Sequence, residues 1–173
     1  MSMKKLIFLA LLVAIGLVLS IVESFIPIPF VVPGVKLGLA NIIGLVSLVI
    51  FGYKEALIVV ILRSLTFALS TGNFSGLFYS LSGAILSVTV MFIVYKFLSR
   101  YFSLIGVSIF GAISHSFAQI AVASLIIENI RIFSYLPIMM LMSLFSGYFV
   151  GLSSIYLTKN LKNKNMSFNF TNL

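Results

Sequence analysis

Apolar runs recur along the whole chain, and several are long enough to cross about 30 Å of hydrocarbon at roughly 20 residues each. No feature restricts the fold more. With 61% hydrophobic and 8% charged residues over 173 positions, a water-soluble domain of this size has too little interior to hide the apolar surface. The fold class is therefore all-α, a polytopic membrane bundle. The spacing predicts six transmembrane helices, at about 5–24, 36–52, 54–71, 76–97, 104–127 and 137–157. Residues 1–159 form the membrane domain, and the polar stretch 160–173 is expected to be a disordered cytoplasmic tail.

Pro27, Pro29 and Pro33 fall in one short segment between the first two runs. Proline removes a backbone donor and biases its predecessor away from helix, so this segment reads as a re-entrant or capping loop. The next stretch, Val35 to Ile42, carries Lys36 and Asn41 into a run that should lie in lipid. Polar groups there are costly unless they face other helices or a ligand.

The net charge of +8 does not point to nucleic acid, because the basic residues sit between the apolar runs and at the ends. They follow the positive-inside rule instead. Lys4, Lys5, Lys54, Lys96, Arg100, Lys159, Lys162 and Lys164 fall on one side, with Lys36 and Arg131 on the other. Both termini are therefore expected in the cytoplasm, and the proline loop faces outward.

Few residues carry chemistry. Arg63 lies about nine residues into the third helix, near the bilayer midplane, where a guanidinium needs a cavity or a partner. The acidic residues are Glu23, Glu55 and Glu128, all near expected membrane boundaries, so an anionic ligand group is the expected partner of Arg63. His115 and Gln119 share one helix face at i, i+4. Helix packing explains such a histidine about as well as ligand binding does. Asn73 and Ser82 are further hydrogen-bonding candidates, and Gly38, Gly44 and Gly83 suit close packing. Glu23 and Glu128 read as solvent-near partners of Lys36 or Arg131, which says little about function. No metal site is expected, since there is no cysteine or aspartate and only one histidine. No cofactor is expected either. No P-loop is present, so the chain cannot by itself drive transport with ATP. Ala10 and Ala14 in the first helix make a small-xxx-small step that lets another helix approach closely.

The stretch Val35–Ile42, the Lys54-Glu55-Ala56 turn followed by Arg63, Leu104–Ser108, and Gly111-Ala112-x-x-His115-x-x-x-Gln119 together resemble the Gx transporter family. That family is also called heptaprenyl diphosphate synthase component I. The resemblance covers about residues 5–157 and departs from the family pattern at Ser116, where an asparagine is expected. It implies a bundle like the substrate-binding S-components of energy-coupling-factor (ECF) transporters. These bind a small vitamin-like ligand near the outer face and dock through small residues of the first helix onto a shared transmembrane subunit driven by two ATPases. Ala10 and Ala14 match that docking step. The expected ligand is small, anionic and partly apolar, met by Lys36, Asn41, Arg63, His115 and Gln119. The family's second name suggests the alternative, a non-catalytic membrane component in isoprenoid or menaquinone synthesis. Catalysis itself is not expected, because prenyl transfer needs Mg²⁺ on carboxylate-rich motifs and this chain has no aspartate.

Overall fold

The computed structural model describes residues 3–26 and 38–163, with the side chains of 162 and 163 excepted. The described residues form six α-helices: α1 (Met3–Ser24), α2 (Asn41–Phe51), α3 (Tyr53–Thr71), α4 (Phe74–Leu98), α5 (Leu104–Ile126) and α6 (Leu136–Asn163), with a 3-10 turn at Ile130–Tyr135. The proline segment, Lys36 and the stretch beyond Asn163 lie outside the described residues, so the expected outer cap and tail do too.

Four of these helices are long and apolar enough to cross a membrane: α1, α4, α5, and α6 together with the turn before it. Large apolar side chains stand exposed along α1 (Leu6, Leu11, Ile15, Val18) and α6 (Phe145, Phe149, Tyr156), a surface that suits lipid rather than water. The chain is a helical membrane protein.

The other two helices depart from the six-span expectation in different ways. At 19 residues α3 is long enough, but it carries Lys54, Glu55 and Arg63. At 11 residues α2 is short, about 16 Å along its axis. It starts at Asn41 rather than near 36, because Gly38 has φ 85° and Gly38–Ala40 form a turn. A positive φ stops a helix and suits glycine. The short helix is also the centre of the molecule. It packs against all five other helices, and every residue in it except Ile42 is buried. Gly44 makes this possible, since a Cβ there would lie 3.0 Å from Val88 and 3.1 Å from Val60.

The ends of the bundle are fixed by specific contacts. At one end Lys5 pairs with Glu55 at 2.5 Å and sits over the Phe51 ring. There too Tyr53 stacks on Phe92 at 4.6 Å between centroids, and its hydroxyl meets Thr89 at 3.0 Å. At the other end Tyr79, Ile120, Ala123, Ile132 and Met139 form an apolar cluster. Helices α5 and α6 approach with backbones nearly touching. A Cβ at Gly147 would lie 2.8 Å from the Ile109 Cα, and one at Gly151 would lie 2.6 Å from the Ile105 Cα. Buried hydroxyls are accommodated by donating back along their own helix: Ser143 to the Met139 carbonyl and Ser154 to Val150, both at 2.7 Å.

Candidate functional site

The site is assembled at the end of the bundle away from the Lys5–Glu55 pair, where α1 ends and α2 begins. One half belongs to Arg63. Its position in α3 is buried, at 3% exposure. The side chain lies across Gly16 of α1, where a Cβ would come within 2.9 Å of its Cδ. Any larger residue at 16 would displace the guanidinium stem. From there Nη1 donates to the Ser20 hydroxyl at 2.9 Å, one turn further along α1, and Nη2 makes a long contact with Ser64 at 3.5 Å. Ser64 is linked in turn to Ser80 of α4 at 3.2 Å.

The second half gathers around His115. Its ring lies between two glycines: a Cβ at Gly83 would be 2.7 Å from Cε1, and one at Gly38 would be 3.2 Å from Cδ2. Gln119, on the same face of α5, packs its Cγ against Gly83 and is wholly buried. Asn41 completes this half, its Nδ2 2.8 Å from where a Gly38 Cβ would stand. Asn41 is 4% exposed, and among the described residues neither of its amide atoms has a hydrogen-bond partner.

Glu23 joins the two halves. Its sequence position predicts a solvent-near helix end, but it is buried at 2% exposure. Its Oε1 accepts from the backbone amides of Gly38 and of Leu39, the latter at 3.2 Å. It also lies within Coulombic range of Arg63. The premise that Arg63 has no carboxylate near it therefore fails. The sequence signal was weak because Glu23 is brought inside by the return of the chain at Gly38, a tertiary event. A helical period did contain a hint, since Leu12, Gly16, Ser20 and Glu23 share one stripe of α1 and all are buried.

Of the residues expected at the site, Asn41, His115 and Gln119 come together, Arg63 reaches the same region through Glu23 and Gly38, and Lys36 lies outside the described residues. Asn73 is remote in role: it caps α4, its Oδ1 accepting from the Gly76 amide at 2.8 Å. Ser116 does not pair with the histidine but meets Ser143 of α6 at 2.6 Å. Among the described residues no three His, Cys, Asp or Glu side chains cluster as metal ligands would. Ala10 and Ala14 are exposed, on the side of α1 away from buried Gly16 and Ser20. Small residues on α1 thus serve two faces, one inward under Arg63 and one outward.

The fold is similar to that of a solved S component of a bacterial ECF transporter, with a TM-score of 0.63 and 24% sequence identity over 94% of this chain and 98% of that one. No curated protein matches the chain significantly. The family model described as heptaprenyl diphosphate synthase component I matches residues 12–157, which takes in Glu23, Lys36, Asn41, Arg63, His115, Gln119 and Ala14. On that match the chain belongs to the heptaprenyl diphosphate synthase component I family.

Proposed function

We propose that this protein is the substrate-binding membrane subunit, S-component-like, of an ECF-type uptake transporter for a small, partly apolar molecule with a polar head. The observation that carries the reading is the buried polar cluster of Asn41, Arg63, His115 and Gln119 at one end of an S-component-like bundle. Buried polar groups at membrane depth are expensive to hold and commonly mark a ligand path. Asn41 and Gln119 would orient the head, and His115, Arg63 and Lys36 would meet it. An anionic head is the expectation from Lys36 and Arg63; Glu23, within Coulombic range of Arg63, offsets one of those two charges and leaves the other.

The remaining parts of the reading follow from charge and surface. Basic residues Lys5, Lys54, Lys96, Arg100 and Lys159 gather at the end opposite the cluster. By the positive-inside rule that end is cytoplasmic, which puts both termini inside the cell and the ligand site toward the outer face of the plasma membrane. Ala10 and Ala14 form the docking step for the shared transmembrane subunit, which works with ATPase subunits. With no P-loop of its own, the chain depends on them for energy. It is not itself an enzyme on this reading.

The family's description favours a second reading, a non-catalytic accessory membrane component in isoprenoid or menaquinone synthesis. The basic turn from Lys96 to Arg100 would then hold a soluble prenyl synthase. Affinity purification of the tagged chain from native membranes separates the two. Co-purification of ATPase subunits, lost in Ala10→Leu/Ala14→Leu, is the expected result. Recovery of a prenyl synthase without ATPase subunits would instead establish the second reading.

A further inference from the structure

Backbone amides at the start of a helix need acceptors from elsewhere, because no carbonyl of their own helix reaches them. At the start of α2 the N-cap position is taken by Ala40, which has no side-chain oxygen to offer. An acceptor comes from another helix instead. Glu23, in the last turn of α1, places Oε1 on the amides of Gly38 and Leu39, just ahead of Ala40. The turn then closes on itself, the Asn41 amide donating to the Gly38 carbonyl at 2.9 Å and the Ile42 amide to Leu39 at 3.2 Å.

This turn carries the site. A Cβ on Gly38 would stand 2.8 Å from Asn41 Nδ2 and 3.2 Å from His115 Cδ2, so the turn backbone lies against both side chains. A shift of the turn moves Asn41 relative to the histidine. Lys36, two positions before Gly38 in the chain, is tethered to the same point. The end of α1 is itself held in place. Arg63 of α3 lies across Gly16 and donates to Ser20 at 2.9 Å, two turns and one turn before Glu23 on the same buried stripe. The last turns of α1 therefore splint the turn to α3. Supports of this kind hold a binding constellation to about 0.5 Å.

Resting on the reading of this cluster as a ligand site, we propose that Glu23 is its positioning residue: by the reach of one carboxylate oxygen to two backbone amides, it fixes the turn that sets Asn41 against His115. Reach, rather than charge, is the property that counts. Glu23→Gln keeps an accepting oxygen at the same length without the charge. Glu23→Asp keeps the charge and falls one methylene short.

His115 is the only histidine in the chain, so its modification by diethyl pyrocarbonate reports on that one ring. Peptide mass spectrometry reads this modification, and amide hydrogen exchange over the turn, on the full chain in detergent well below its unfolding midpoint. The wild type is expected to exchange slowly at Gly38 and Leu39 and to protect His115. Glu23→Ala and Glu23→Asp should speed exchange at those two amides by about tenfold or more. Both should also open His115 to the reagent, with exchange across α3 to α6 unchanged. Glu23→Gln should keep both readouts near the wild type. If Glu23→Ala does not accumulate, the contrast between Glu23→Asp and Glu23→Gln carries the test. The proposal is overturned if Glu23→Asp protects the turn as well as glutamate does, or if Glu23→Gln loosens it as much as Glu23→Asp. It is also overturned if exchange rises equally through the whole bundle, the mark of a merely structural role. Neither readout needs a ligand, so a turn that responds as expected in a chain that retains no small molecule would count against the ligand reading and leave the positioning role standing.

Discussion

At the scale of single residues, two buried opposite charges within Coulombic range of each other, Glu23 and Arg63, limit what can be changed. Removing one weakens the electrostatic compensation of the other in a low-dielectric interior, which costs stability. Arg63→Gln and Glu23→Gln are each expected to lower the midpoint of thermal unfolding in detergent. The double variant should recover much of the loss, and a double variant as unstable as the sum of the singles would mean the two charges are not coupled. Arg63 was legible from sequence because a guanidinium nine residues into an apolar run has few places to go. His115 and Gln119 were legible from their i, i+4 spacing. The role of Glu23 was not, since nothing in the local sequence says that the chain returns at Gly38 to lay two amides on its carboxylate. The same return explains why Asn41 lies beside His115, which is distant in sequence.

Among the elements, α2 shows where a sequence reading of helix length runs out. The apolar run through Phe51 suggested a full span starting near 36, but a glycine at φ 85° confines the helix to 11 residues. A short helix buried on nearly all sides has no lipid face to advertise it, so its hydrophobicity reads as a membrane span. Gly52, with φ 96°, makes the abrupt connection into α3. Gly52→Ala is expected to destabilise by about 1 kcal/mol or more, because a Cβ disfavours that conformation. The α5–α6 contact is stricter. Gly151→Ala would put a Cβ 2.6 Å from the backbone of Ile105, which cannot move like a side chain. Overpacking of this kind costs about 1–3 kcal/mol, readable as a lower unfolding midpoint. Ala10 and Ala14 face outward, so Ala10→Leu should leave that midpoint unchanged while weakening partner docking.

For the whole molecule, the distribution of charge was the most legible property. The basic residues that sequence order assigned to one side do gather at one end of the bundle among the described residues, and Arg131 stands at the other. The chain has no cysteine, so single introduced cysteines report topology cleanly. Arg131→Cys is expected to react with a membrane-impermeant maleimide in intact cells, and Arg100→Cys only after permeabilisation. The reverse pattern would place the buried polar cluster on the cytoplasmic side and undo the uptake reading. That reading depends above all on the cluster holding a small molecule. Native mass spectrometry of the chain purified from its own membranes tests this most directly. The expected spectrum contains a retained small-molecule adduct on the wild type that is absent from Asn41→Leu. A wild-type protein that carries only lipid and detergent, with a spectrum unchanged in Asn41→Leu, would contradict it.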